Sequence, residues 1–459
     1  VLLANLAQRW HQPAGYREVL AIAMPMVLST GAWSILFFMD RVFLTWYSSD
    51  AIAASLPAGM ASFAVVCLFA GTAVYVNTFV AQYHGAKQDG KIGAIMWQGT
   101  YLSLLSLLVI IPAYYYADVI FNWTGHEPQV IVLEIEYFRT LMYAAVFGVL
   151  NNTLSSFFSG LGRAYVVMWV SIVIMLVNLS LDYILIFGHF GFSSMGIKGA
   201  ALATNIAIVI GVIIYAVMIL MPHNQRRFNT LKHCSFNRPL FNRLVYFGLP
   251  NGLRLFIDMS AFTAFLMIVG MLGNVSLIAS NIAFNINALS FLPMMGLMIA
   301  ASVLVGQHLG NDNVQLAERA TWSTLHIGLV FFTILGALYI FVPGLFIWPY
   351  LQAGEFNQHD SLALVIVLLR FVAFFGLFDA TFLIFLGALE GAGDTRFIMK
   401  MSFIISLLLM VLPSYLYVEY MTANVIGLWM IITFHVMTYS VVFYRRFKGG
   451  LWKHMRVIH

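Results

Sequence analysis

The sequence predicts an all-α membrane protein of twelve transmembrane helices, arranged as two six-helix lobes related by a pseudo-two-fold axis along the membrane normal. Three observations lead there. Only 9% of the 459 residues are charged and 61% are apolar, whereas soluble domains carry roughly 25% charged residues. The apolar residues also come in long uncharged runs: Val19 to Met39 contains no charge, and at ~1.5 Å per residue such a helix crosses the ~30 Å hydrocarbon layer. Lipid forces each backbone polar group to be satisfied within its own segment or in a closed barrel, and runs of this length, without ten-residue alternation, are helices. Finally, the second half of the chain repeats features of the first.

Twelve segments of this kind lie near 18–46, 52–83, 92–116, 129–158, 164–188, 197–221, 241–272, 276–308, 315–342, 361–389, 396–418 and 424–444, called spans 1 to 12 below. With the N-terminus in the cytoplasm, 18 of the 23 basic residues fall on that side, from Arg9 and Arg17 through Arg226 and Arg227 to Arg456. The opposite loops carry Asp50, Asp118, Glu127, Glu355, Asp360 and Glu419, with Lys198 as their one clear basic residue. The positive-inside rule therefore predicts a multi-pass protein of the inner (plasma) membrane with both termini cytoplasmic. The surplus of five positive charges is explained by this bias, and no nucleic-acid partner is expected. The chain start VLLANLAQRWHQPAG lacks a basic region, apolar run and small-residue cleavage site in succession, so a short surface helix is expected there instead of a secretory signal. Cys67 lies inside span 2 and Cys234 in the central loop. Neither a disulfide nor a structural metal is expected from them.

The repeat has an offset of 225 residues. It sets VAQYHG at 80–85 against VGQHLG at 305–310, Pro25 against Pro250, and AIAAS at 51–55 against SLIAS at 276–280. SGLGR at 159–163 meets EGAGD at 390–394 after the offset has grown to 231. Similarity in this order predicts an N-lobe, 1–221, and a C-lobe, 244–459, joined by the basic cytoplasmic linker 222–243. Six spans per lobe give both halves the same orientation, with a cleft between them, the layout of alternating access. Pro25, lacking a backbone N–H, is the candidate bending point of span 1.

The stretch FFMDRVFLTWY, 37–47, interrupts an apolar segment with Asp40 and Arg41. The pair either marks a helix end in the headgroup region, or Asp40 faces an interior cavity where an ionisable group is expensive and functional.

NLSLDYILIFGHFGFSSMGIKGAALAT (178–204), LPMMGLMIAASVLVGQHLGNDN (292–313) and FLGALEGAGDTRF (385–397) resemble the span 5–6, span 8 and span 10–11 patterns of the MATE (multidrug and toxic compound extrusion) transporters. The resemblance extends over nearly the whole chain. It implies export of bulky, often cationic organic compounds in exchange for H⁺ or Na⁺. It also implies a cation-coupling site in the N-lobe from Asp40, Asn178, Asp182 and Thr204, and one in the C-lobe from Asp258 and Asp379. Carboxylate, amide and hydroxyl oxygens together suit Na⁺ or a proton relay. Asn281 and Asn285, an i, i+4 pair, are candidates to complete the C-lobe site, and interhelical hydrogen bonding explains them equally well. The chain departs from the family pattern at Asp258, where glutamate is common, and at Arg254 one turn before it. Arg254 is an ion-pair candidate for Asp258, or it snorkels to the cytoplasmic interface.

An enzyme is not expected: there is no HExxH, P-loop, nucleophile elbow or paired-Cys motif. No cofactor is expected beyond the coupling ion. The expected partners are small organic substrates and the lipid bilayer, with the chain a monomer. The alternative function is a lipid-linked oligosaccharide flippase of a related fold, which needs cavity cations to hold pyrophosphate. A non-transporting receptor or scaffold would need no carboxylates facing a cleft.

Overall fold

The computed structural model describes residues 9–123, 126–352 and 359–458, nearly all of them helical. The surface helix expected at the chain start falls mainly outside the described residues. Among those described, eleven helices are long and apolar enough to cross a bilayer: Tyr16–Tyr47, Ser49–Gly85, Asp89–Tyr115, Ala164–Phe187, Gly196–Leu220, Arg238–Gly270, Asn274–Gly310, Val314–Phe341, Leu362–Ala392, Thr395–Tyr420 and Val425–Lys448. They are spans 1–3 and 5–12, with ends within a few residues of those predicted. Large side chains such as Phe38, Trp46, Leu108 and Phe341 are exposed, as a lipid-facing surface requires.

Span 4 is present as two helices, Pro128–Met142 and Ala145–Gly160. The first carries Glu134, Glu136 and Arg139, which keeps it from reading as an apolar span. The break follows from one intruding side chain. Asn205 Nδ2 donates to the Thr140 carbonyl at 2.6 Å, the acceptor that the Ala144 N–H would use in an unbroken helix, and Ala144 N–H turns to Leu141 O at 3.4 Å. Span 11 is interrupted for another reason. Pro413 has no N–H to give to Leu409, and a π turn, Leu407–Val411, precedes Leu412–Tyr420. Spans 1 and 7 run as continuous helices through Pro25 and Pro250.

The chain forms two compact units, one of residues 28–253 with 457–459, the other of residues 1–27 with 254–456. The first has a core around Phe43, Phe121, Phe138 and Ile186, where Ala51, Ala54, Ala58, Ala200 and Ala201 let helices approach closely. The stretch 222–243 is fastened to the same unit. Trp97 Nε1 donates to Thr230 O (2.6 Å), Asn237 N–H donates to Gln98 Oε1 (3.1 Å), and Arg227 pairs with Asp89 (2.8 Å). The second unit has its own core around Phe265, Leu368, Leu369 and Trp429, with Trp429 Nε1 donating to Ser280 Oγ at 3.0 Å.

The repeat is visible in the glycine contacts within each unit. A Cβ on Gly160 would lie 2.6 Å from the Asn77 carbonyl oxygen, and one on Gly391 would lie 2.3 Å from that of Ser302. These are the same two positions of the repeat. Likewise Gly71 abuts the backbone of Gly252 in one unit and Gly296 abuts that of Val27 in the other. Val27 and Gly252 each lie two residues after Pro25 and Pro250, so the prolines occupy matching places in their surroundings. The start of span 1 thus belongs to the unit of spans 8–12, and the start of span 7 to the unit of spans 2–6.

These contacts predict a stability effect. Gly391→Ala forces a methyl group against backbone that cannot swing away, and is expected to cost about 1–3 kcal/mol. Gly160→Ala should behave alike. Gly59→Ala, where nothing lies within 4 Å, should be neutral or stabilising by up to about 1 kcal/mol. Thermal unfolding of the three purified variants checks this, and equal melting temperatures would contradict the packing argument.

Candidate cation-coupling sites

In the unit of residues 28–253, Asp40 is 6% exposed while Arg41, about 100° further round the helix, is exposed. The pair is therefore not a solvated helix end: one side chain points in and the other out. Asp40 meets Asp182, and the two carboxyl groups hydrogen-bond to each other. Asn178, one turn before Asp182 on span 5, bridges them. In the amide orientation that satisfies its neighbours, Nδ2 donates to Asp40 Oδ1 (3.0 Å) and Asp182 Oδ2 (3.1 Å), and Oδ1 accepts from Thr204 Oγ1 (3.3 Å). Asn178 and Asp182 are fully buried. All four residues expected at this site come together.

Two carboxyl groups this close and this dry do not both stay negative without a cation between them, whether a shared proton or a metal ion. Asp182 Oδ1 is buried and accepts from no N–H or hydroxyl among the described residues. Tyr137, on the first half of span 4 and 8% exposed, lies beside both carboxyls. Sequence reasoning missed it, since nothing separates it there from the 20 other tyrosines.

In the unit of residues 254–456, the arginine meets its expected partner: Arg254 Nη1 lies 3.0 Å from Asp258 Oδ2. Its side chain is 12% exposed and does not snorkel. Its other nitrogen, Nη2, lies 3.1 Å from Glu390 Oε1 on span 10. Tyr439 Oη of span 12 donates to Asp258 Oδ1 at 3.5 Å, and is itself tied to Ser406 Oγ (3.0 Å) and the Ser402 carbonyl (3.2 Å). Glu390 and Tyr439 were not anticipated. Glu390 stands inside the FLGALEGAGDTRF stretch, 11 residues from Asp379 and so about three turns away on a similar face, which was the available signal.

Asp379 does not join this cluster. It is half-buried on span 10, with no hydrogen bond or ion pair to any described residue. Asn281 and Asn285 are exposed and likewise form no hydrogen bond with Asp258 or Asp379. The two acid clusters also break the repeat: 225 residues after Asp40 stands Phe265, not Asp258. Spans 1, 5 and 6 build one cluster, and spans 7, 10 and 12 the other.

Solved structures similar to this one cover almost all of the chain. One, described as "Reverse polarity of binding pocket suggests different function of a MOP superfamily transporter from Pyrococcus furiosus Vc1 (DSM3638)", superposes with a TM-score of 0.87 at 20% identity, covering 98% of both chains. Another, "Crystal structure of MATE in the straight conformation", gives 0.85 at 21% identity, covering 98% of this chain and 97% of that one. Among curated proteins, the "Probable multidrug resistance protein NorM" of Rhizobium meliloti (strain 1021) is 26% identical over 405 residues, 88% of this chain and 86% of the relative. The MatE family profile matches twice, over residues 25–184 and 250–416, the two matches beginning at the prolines that the repeat pairs. With both halves matched and most of the chain covered, this protein belongs to the MatE family.

Proposed function

We propose that this chain is a secondary active antiporter of the inner membrane, exporting organic and often cationic compounds in exchange for H⁺ or Na⁺ by alternating access. The observation that carries the reading is the Asp40–Asn178–Asp182–Thr204 cluster. A buried carboxyl pair bridged by an amide suits reversible cation binding, and has little value as structural glue inside a membrane helix bundle. The multidrug resistance names of the NorM relatives supply the substrate class. Asp40 and Asp182 bind the ion in one unit, and Asp258 and Asp379 are the acids available to it in the other. A flippase for pyrophosphate-linked lipid would need basic groups turned to its cargo, whereas Arg254 is engaged by two carboxylates. Both termini are assigned to the cytoplasm by the distribution of Lys and Arg, and the working unit is a monomer.

The test is efflux of ethidium from liposomes containing the purified protein, under an imposed pH gradient and separately under a Na⁺ gradient. Efflux should accelerate under at least one. Rates equal to protein-free liposomes under both would overturn the reading.

A further inference from the structure

The Arg254 guanidinium is divided between two acids of unequal access. Its partners are Asp258 at 3.0 Å and Glu390 at 3.1 Å. The side chains of Arg254 and Glu390 are 12% and 10% exposed, while that of Asp258 is 32% exposed. Arg254 and Asp258 are four residues apart on one helix, a spacing that would let the carboxylate take the guanidinium fork whole. Glu390 prevents this by holding Nη2. The charged and titratable groups that meet here are Arg254 and Asp258 from span 7, Glu390 from span 10, and Tyr439 and His435 from span 12, the buried His435 ring lying edge-on to that of Tyr439 with centroids 4.7 Å apart. With both acids ionised, one guanidinium leaves the group with a net charge of minus one, and that charge faces outward on Asp258, the accessible limb.

We propose that Glu390 is a positioning residue for the coupling ion: by holding half of the Arg254 guanidinium it keeps an uncompensated negative charge on Asp258, where the cation is taken up. Occupation of Asp258 by a proton or Na⁺ neutralises that limb, and Arg254 then belongs to Glu390. Arginine beside the site is in this way compatible with cation coupling, because its charge is already met from the buried side. The inference rests on the antiport reading above and names a residue that reading does not use.

Charge arithmetic supplies the test. Glu390→Gln leaves Arg254 wholly to Asp258, and the cluster becomes neutral. Its gradient-driven ethidium efflux should fall roughly tenfold or more. Glu390→Asp should retain most of it. The double variant Arg254→Gln/Glu390→Gln restores a net charge of minus one on Asp258 alone and should export better than Glu390→Gln, a non-additivity that loss of packing does not produce. A second readout needs no transport: the rise in melting temperature on adding Na⁺ at constant ionic strength, or on lowering the pH. That shift should shrink in Glu390→Gln and return in the double variant. Should Glu390→Gln not fold, Arg254→Gln decides, since it leaves two bare carboxylates and should enlarge the cation-dependent shift. Wild-type efflux and melting in Glu390→Gln, a folded double variant as impaired as the single one, or an unchanged shift in Arg254→Gln would each overturn the proposal. Failure of the wild-type protein to export counts against the antiport reading instead, and the melting comparison stands apart from it.

Discussion

Asp40→Asn is expected to bring gradient-driven export down to the level of protein-free liposomes while the protein still folds. The amide has nearly the shape of the carboxyl and can still hydrogen-bond to Asp182 and Asn178, the two groups that Asp40 meets in the buried cluster. Folding therefore loses little. What disappears is one of two facing acids, and with it the need for a cation between them. Losing one charged contact to the bound ion costs about 1.5–3 kcal/mol, which is on the order of a ten- to hundredfold drop in occupancy. Asp40→Ala should behave differently, because it leaves the Asn178 amide short of an acceptor in a dry site and lowers stability by about 1–3 kcal/mol. Efflux assays with melting curves of both variants separate the two effects. Wild-type export by Asp40→Asn under both gradients would remove Asp40 from the mechanism.

For Asp379→Asn export is likewise expected to fall, while stability holds or rises. Between Arg370 and Glu390, Asp379 is the one charged residue of span 10, and no described residue bonds to it. A charge at such depth costs about 2.5–3.5 kcal/mol on insertion scales, and no described residue pairs with it to offset this. Replacement by the neutral amide relieves part of that cost, so the melting temperature should not fall. Export should fall at least about tenfold if Asp379 takes a cation, since an amide holds no net charge to attract it. A lower melting temperature with unchanged export would return Asp379 to a purely structural role.

The difference between these two aspartates was only partly readable in the amino-acid order. Asp40 and Asp182 lie 142 positions apart; the family pattern groups them, and the structure places them side by side. Asp379 and Asp258 are grouped on the same grounds, yet in the structure Arg254 bridges Asp258 to Glu390 instead. Spacing on a helix establishes a shared face and says nothing about where that face points. Asn281 and Asn285 do share a face, and that face is exposed. The break in span 4 was out of reach for a similar reason, because the side chain that takes the Thr140 carbonyl comes from Asn205, 65 residues later.

Span positions and the repeat were determined by the sequence alone, and the distribution of Lys and Arg supports the sidedness proposed above. Lipid is the reason: with no water to satisfy the backbone, a long apolar run has to close its hydrogen bonds within itself, so local composition is enough to place it. Basic loops follow from the membrane's asymmetry in the same local way. Which acids meet was decided by tertiary structure. Arg254 finds Asp258 through helix periodicity, a local rule, but it finds Glu390 only because spans 7 and 10 pack at one particular depth and rotation. In a low-dielectric interior, moving a charged group by a few ångströms decides whether it is paired or left bare, and no short stretch of sequence carries that depth.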